Sequence, residues 1–587
     1  MKSIHRLVDK GEIDRLREWI ETDPFPHVLV NEVDEYGWTP LYYAVTAAQP
    51  NPDMVDLLLK AGADLGYVRV ELFSDSAEDI GEKQAETADD ESSEYRESLL
   101  SVAIRAGNLQ ILRLLHDYGA DFHYHDEDNY TALLDAVLQG VNMPVLRYLI
   151  GLGLDLNAET SWNESPVSVA YCHDRFEALV ELLKAGAEEI PLKWTPLHRA
   201  VSIGTIADVQ RESKDADSLH QYDIWGRTPI HIALLRGNAE MVEVLQRSGG
   251  DVGQRAERGT ASLSFAAKGD HLGLLEKVLA TGCSSEDKNA ALSVAVEENH
   301  HGIAHALLIV GAAPTPAMGA GHVWDRQMIL LLHQHGADLS KLDTEGRRHL
   351  LGLVDGSKHI LDGVSRETYL AFRYVFEGTA NPQDINDPFR LAMVRSGSEA
   401  FYAQKHFEDP IDYGKINHLR SPVVWCFDRF GQSTTILPDG RIILIGGEHE
   451  DFYHPTFCIY NDVSVFDPDG TITILGYPFS VFPPTDFHTA TLVDSSIYII
   501  GSLGYPGSRG GPIPVYRLSC ADLRIERVET SGEQPGRIFK HAAKITADGN
   551  IQIEGGKSIS FEGPRETTVL NTGRFILNLQ TLAWSQM

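Results

Sequence analysis

Thr195–Ala200 reads TPLHRA, and 33 residues later Thr228–Ala233 reads TPIHIA. The same pattern gives TPLYYA ending at Ala44 and TALLDA ending at Ala136. Weaker copies end at Ala103, Ala170, Ala266 and Ala295. The steps between these alanines are 59, 33, 34, 30, 33, 33 and 29 residues. A sustained period of this length is the mark of stacked repeats. The first step is 33 plus 26, so it contains an insertion and not a missing repeat.

A second pattern runs in phase with the first. LLLKAGAD ends at Asp64, LLHDYGAD at Asp121, ELLKAGA at Ala187 and LLLHQHGAD at Asp338. Thr-Pro predicts the start of one helix, with Thr as N-cap and Pro at the first helical position. The Gly of the second pattern predicts a left-handed C-cap on the next helix. DEYGW (Asp34–Trp38) and DIWGR (Asp223–Arg227) supply a turn between units. One such unit cannot bury its apolar face alone, so neighbours must stack.

These motifs resemble the ankyrin-repeat family from Met1 to about Gly356, with about ten units. The resemblance implies an α solenoid that binds other proteins. Two places depart from the pattern. ADVQRESKDADSLH (Ala207–His220) lacks the Leu-Leu and Gly-Ala ending, and units after Gly282 are shortened. Either a bend in the solenoid or irregular helices are expected there. The insertion, residues 71–97, holds eleven acidic residues against Lys83 and Arg96. That composition predicts a flexible acidic loop.

From about Pro422 the period changes to that of strands. RIILIGG (Arg441–Gly447), SIYIIGS (Ser496–Ser502) and NIQIEGG (Asn550–Gly556) are apolar strands ending in small residues. Their glycines at 446, 501 and 555 are 55 and 54 residues apart. Each strand follows a partner strand and a turn, and each is followed by a further strand pair. Four strands per repeat with glycines after the second resemble kelch propeller blades, so the C-terminal part reads as an all-β, kelch-like partial propeller over residues 422–587. Three blades fall short of the four that a closed propeller needs. Either the propeller is incomplete or earlier residues add a blade. Residues 357–421 read as a helical linker that covers an exposed sheet edge.

The chain has 587 residues, with 84 acidic against 50 basic and a net charge of −34. Residues 381–587 hold 24 acidic and 17 basic residues, leaving 60 and 33 for residues 1–380. The acidity therefore belongs to the repeats. It argues against nucleic acid or an anionic membrane as partner and suits a basic protein. Five scattered cysteines without a CxxC pair give neither a disulfide framework nor a zinc finger. With no apolar signal segment and no apolar stretch of about 18 residues, a cytoplasmic location is expected.

Chemistry is sparse. GGEHEDFYH gathers His449, Glu450, Asp451 and His454, with His488 opening the next strand group, as weak metal candidates. A polar loop is the plainer reading, and no cofactor is expected. His300, His301, His305, His333 and His335 fall at repeat ends and read as structural. GSLGYPGSRGG lacks GK[ST] and a following helix, so it reads as an inter-strand loop. No catalytic triad or nucleophile elbow is present.

The aromatics say more. The residue before each Thr-Pro, which is Trp38, Trp194 or Arg227 (Tyr130 before Thr-Ala), is expected at an exposed finger tip. Tyr36 and Trp225 neighbour it, and Tyr43 is expected on the exposed side of the first helix. Exposed aromatics and Arg are the residue types of binding hot spots. The chain thus reads as a non-enzymatic protein binder. Its resemblance to bacterial ankyrin/kelch-like proteins implies an immunity protein that neutralises a basic toxin. The alternatives are a scaffold or adaptor for a cellular partner, and a metal-dependent enzyme built on the GGEHEDFYH loop.

Overall fold

The computed structural model describes residues 3–34, 37–47, 50–72, 94–314, 325–339, 342–353, 358–409, 422–451, 454–562 and 565–587. They form two compact units, Met1–Asp287 and Lys288–Met587.

The first unit is built from helix pairs. Pro40–Thr46 pairs with Pro52–Lys60, Leu99–Ala106 with Leu109–Asp117, and Ala132–Gln139 with Met143–Gly151. Pro166–Cys172 pairs with Phe176–Ala185, Pro196–Ile203 with Ile206–Glu212, and Pro229–Leu235 with Ala239–Arg247. The Thr-Pro expectation holds: Thr39, Thr131 and Thr195 each accept the amide of the third helical residue, at 3.3, 3.3 and 3.1 Å. The glycine expectation holds as well. Gly62, Gly119 and Gly186 are left-handed, and the following alanine amides reach back to Leu58, Leu115 and Leu182 carbonyls. That is the Schellman closure of a helix end. First helices pack on first helices and second on second, through residues such as Leu134, Val169, Leu197 and Ile232 that are fully buried.

The two irregular places follow the sequence. Ile206–Glu212 is a short helix followed by a 3-10 turn, Asp217–His220. Ser285–Glu297 runs for 13 residues, an extended first helix where a finger would be. The acidic insertion needs a correction. Its flanks are not loop but two paired strands, Val68–Leu72 and Glu94–Ser98, with Val68 opposite Ser98 and Leu72 opposite Glu94. The sequence of the first strand, VRVEL, alternates apolar with charged residues as a ladder strand does, and the acidic residues between the two strands at 73–93 lie outside the described residues.

In the second unit, helices Ser285–Glu297 (from Lys288 on), His301–Ile309, Arg326–Gln334 and Thr344–Leu351 precede the β part. Lys358–Gly363 is a 3-10 helix, and Arg366–Phe372, Pro388–Ser396 and Ala400–His406 are α-helices in the segment read as a linker. The β part contains several small sheets, and three of them share one antiparallel strand order. The first sheet comprises Ser433–Ile436, Ile442–Ile445, Val463–Phe466 and Ile472–Gly476. The second comprises Thr489–Val493, Ser496–Ile500, Val515–Ser519 and Ile525–Arg527. The third comprises Ala542–Ile545, Ile551–Glu554, Arg574–Asn578 and Ala583–Gln586, with the two-residue strand Ser531–Gly532 added parallel to the last.

The linker covers the edge of the first sheet with a two-residue strand, Gln383–Asp384, paired to Leu475 and Gly476. Asn381 does the same for the second sheet by side chain alone. Its amide donates to the Ile525 carbonyl at 2.7 Å, and its oxygen accepts the Ile525 amide at 2.9 Å. Ile443, Ile445, Ile497 and Ile499 share one core, and Tyr498, Ile500, Ile551 and Ile553 another. The second sheet is therefore buried on both faces. The third is not: Lys544, Gln552, Glu554 and Arg574 line its other face, where Glu554 pairs with Arg574 at 3.0 Å. The stack of sheets ends there on a polar surface.

Close approach requires the glycine after the second strand in the first and second sheets. Gly446 and Gly501 have φ of 59° and 81°, and a Cβ would lie 2.2 Å from the Thr485 carbonyl and 2.4 Å from that of Ile538. The GGEHEDFYH segment is a second correction. It is a two-stranded ladder, Glu448–Asp451 with His454–Ile459, and not a loop.

Because the ladder at Val68–Leu72 closes the base of the insertion, replacing residues 75–91 with a short Gly-Ser turn should leave the melting temperature nearly unchanged. Each halving of loop length alters closure by only about 0.6 kcal/mol. A melting scan showing a large loss would mean that the segment packs as structure.

Candidate functional site

Four fingers of the first unit are five-residue turns closed in the same way. Asp34 amide donates to the Trp38 carbonyl, Asp126 to Tyr130, Thr160 to Glu164 and Asp223 to Arg227, at 3.0, 3.1, 3.0 and 2.9 Å. The side-chain oxygen of the first residue accepts the amide of the fifth: Asp34 from Trp38 at 3.0 Å, Asp126 from Tyr130 at 2.7 Å, Thr160 from Glu164 at 3.2 Å and Asp223 from Arg227 at 2.8 Å. The fourth position takes a left-handed backbone, supplied by Gly37, Asn129, Asn163 and Gly226. These are residue types that tolerate positive φ.

This geometry corrects the expected exposure. The residue before Thr-Pro closes the base of the finger, and the third turn residue occupies its tip. Arg227 is 5% exposed. Its guanidinium bonds Asp223 at 2.9 Å and Asp174 at 2.8 Å and lies 4.1 Å over the Tyr171 ring. Tyr171 donates its hydroxyl to Asp223 at 2.7 Å. Burial raises the Tyr171 phenol above its usual range. Trp38, Tyr130, Trp194 and Trp225 are half-buried. Trp194 lies edge-on to Tyr171 at 5.1 Å. Tyr43 is also half-buried and donates its hydroxyl to Asp34 at 2.8 Å. Tyr36 lies outside the described residues.

The tip position equivalent to Trp225 carries Trp162, which is 59% exposed and stands 6.1 Å from Tyr130. Sequence reading passed over it. TSWNESP (Thr160–Pro166) aligns with DIWGRTP (Asp223–Pro229), and that alignment is the signal that finds it.

The histidine of TPxH ties repeats together. His198 accepts from Thr195 through Nδ1 and donates through Nε2 to the Arg227 carbonyl at 3.2 Å. His231 reaches the Gln254 carbonyl at 2.8 Å in the same way. Burial lowers His198 and takes His231 down to about 4.

Of the expected metal residues, His449 and His488 have described side chains, and each is engaged with a different partner. His449 is buried, with Nε2 3.7 Å from the Cys426 thiol. His488 bonds the Ser433 hydroxyl at 2.8 Å, linking the first two sheets, and His541 bonds Thr489 at 3.0 Å, linking the second and third. Burial and the neighbouring His541 take His488 down to about 3, and burial takes His541 to about 4. The side chains of Glu450, Asp451 and His454 lie outside the described residues. Among the described residues no group of three or more His, Cys, Asp or Glu side chains is arranged to hold a metal ion. His301 pairs with Asp325 at 3.1 Å, and His333 bonds the Ala337 carbonyl at 3.2 Å, as repeat-end residues. No helix among the described residues is long and apolar enough to cross a membrane.

Ankyrin-repeat family models match residues 4–59 (many copies), 99–190 (three copies) and 225–257 (one repeat). The N-terminal part of the chain is an array of ankyrin repeats. It is 39% identical over 85 residues to protein phosphatase 1 regulatory subunit 27 of Mus musculus, covering 14% of this chain and 53% of that protein. It is 26% identical over 231 residues to inversin of Canis lupus familiaris, covering 37% of this chain and 19% of that protein. It is also 26% identical over 232 residues to the ankyrin repeat and KH domain-containing protein mask-1 of Caenorhabditis elegans, covering 38% and 9%. The chain thus spans about half the length of the first of these relatives and a fifth or less of the others.

Arg227→Ala should lower stability by about 3–5 kcal/mol, because it leaves the buried Asp223 carboxylate without its cation. Trp162→Ala at the exposed tip should change stability by no more than about 0.5 kcal/mol. Urea unfolding of both variants checks this, and equal losses would contradict the assignment of base and tip.

Acid should also destabilise the fold. His231, His488 and His541 are neutral when folded, and an unfolded histidine titrates near 6.5. Their contribution is therefore complete above about pH 6.5 and falls, by up to roughly 1.4 kcal/mol per pH unit for each, down to the folded values. Unfolding measured from pH 7 to 4.5 should show this slope weakened in His541→Gln. An unchanged slope would contradict it.

Proposed function

We propose that the chain is a non-enzymatic protein-binding scaffold whose ankyrin array docks a basic protein. The observation that carries the reading is the charge of the array, 60 acidic against 33 basic residues over 1–380, on a repeat scaffold. Such a potential steers a cationic partner and repels anionic ones. The narrower form of this reading is an immunity protein that neutralises a cationic toxin, and its support is the acidity alone. A scaffold or adaptor role for a cellular partner is favoured by relatives such as a phosphatase regulatory subunit and inversin.

Division of the chain into an array over 1–356, a linker over 357–421 and a β part over 422–587 belongs to the same proposal. So does the kelch-like reading of the three sheets, supported by their shared strand order and by the equivalent Gly446 and Gly501. Among the site residues, Trp225 and Tyr130 stay in the proposed contact edge with Trp162 added, while Arg227 is assigned to holding the repeats.

The partner should be isolated by cross-linking and co-purification from the native host and its binding kinetics measured. The association rate should fall steeply between low and physiological salt while dissociation changes little. An association rate indifferent to salt would overturn the electrostatic reading. Growth rescue on co-expression with a toxin separates the immunity role from the adaptor role.

A further inference from the structure

The fingers Asp126–Tyr130 and Thr160–Glu164 are tied to each other. The Ser161 amide donates to the Asp128 carbonyl at 3.0 Å, and the Asn129 side chain donates to the Glu159 carbonyl. Within each finger, Asp126 accepts the amides of Asp128 and Tyr130, and Thr160 those of Trp162 and Glu164. The two tips are therefore held in fixed positions. They place Trp162 and Tyr130 together, with ring centroids 6.1 Å apart and planes tilted by 56°, and leave most of Trp162 open to water.

Four carboxylate residues lie on or next to these two turns. Asp126, Asp128 and Glu159 are exposed, and Glu164 is half-buried. Burial raises the Tyr130 phenol, and the charges of Glu164, Asp126 and Asp128 raise it further. None of the four has a Lys or Arg partner among the described residues. Elsewhere on the array, comparable acids are paired: Asp56 with Lys60, Glu181 with Arg147 and Lys184, and Asp287 with Arg255. An exposed indole beside uncompensated carboxylates offers a cation both a π face and counter-charge. An exposed aromatic surface alone would suit many partners, but this rim selects a positive one.

We propose that Trp162 and Tyr130, rimmed by Asp126, Asp128, Glu159 and Glu164, form the docking point for an Arg or Lys side chain of a basic protein segment. This rests on the basic-partner reading above and names its contact site. The guanidinium or ammonium stacks on the open face of Trp162, and the carboxylates of the two finger tips neutralise it. Anionic surfaces are repelled by the same rim. The turn hydrogen bonds hold the site open before binding, so little ordering opposes association.

The test is calorimetric titration of the full chain with N-acetyl hexa-arginine amide at low salt. Trp162→Ala should weaken binding about 2- to 5-fold, the range of an exposed cation–π contact. Trp162→Phe should retain most of the affinity. The pair Asp128→Asn with Glu159→Gln should weaken binding and flatten its salt dependence. The same Trp162 dependence should persist in a chain shortened across residues 75–91, which excludes the acidic insertion as the site. If Trp162→Ala lowers the melting temperature, the charge pair and Trp162→Phe carry the test. Salt-dependent binding that is unchanged in the Trp162 and charge variants would overturn this site and leave the basic-partner reading standing. No binding of the peptide by the native chain would overturn both.

Discussion

The Asp223 carboxylate is the contact on which the stacking of the central repeats depends. One oxygen accepts the amides of Trp225 and Arg227 and so closes a finger. The other accepts the Arg227 side chain and the Tyr171 hydroxyl, which belongs to a helix 52 residues earlier. Arg227 carries the bridge onward to Asp174, which also pairs with Lys268 at 2.8 Å. Repeat arrays make contacts only between neighbours, so a node that reaches across several units sets their register. Its charge does not by itself imply stability, since buried ion pairs roughly balance their desolvation. What it adds is direction: the guanidinium fork fits over Tyr171 in one orientation. The β part uses the same arrangement. There Arg429 pairs with Asp462, lies 3.5 Å over the Tyr460 ring, and shares Asp462 with the Trp425 indole N–H.

Closing the finger bases with internal partners has a consequence for binding. Arg227 is committed to the fold, whereas the tips, with half-buried Tyr130 beside Trp162, remain for a partner. Trp162 is the clearest such tip, and it lies on the acidic half of the chain. Scaffold and recognition are thus divided at the level of single turn positions. Changing the tip changes the partner without disturbing the stack, which is how one repeat fold serves many functions.

Much of this was legible in the sequence. Thr-Pro and Gly-Ala marked helix starts and ends because caps are local chemistry. RIILIGG and SIYIIGS read as uninterrupted apolar strands because both faces are buried, whereas NIQIEGG alternates and ends the stack with a polar face. The failures are equally specific. Counting back from Thr-Pro placed the base residue at the tip, because the Asp-to-fifth-residue turn bond is not visible in a period. Trp162 was missed because Thr160, Asn163 and Glu164 replace the Asp, Gly and Arg of the clearer copy. Glu448–Asp451 read as a loop because its residues have poor strand propensity, and pairing with His454–Ile459 overrides that preference. Asn381, which mimics a strand edge by side chain, lies 144 residues from Ile525, and no local pattern reveals it.

The central claim is that partners meet the finger tips of the ankyrin array. Hydrogen–deuterium exchange of the full chain, alone and with its co-purified partner, tests it directly. The account predicts added protection in the turns Asp126–Tyr130, Thr160–Glu164 and Asp223–Arg227, with the three sheets of the second unit unchanged. Protection confined to those sheets, with the finger turns exchanging as in the free chain, would contradict it.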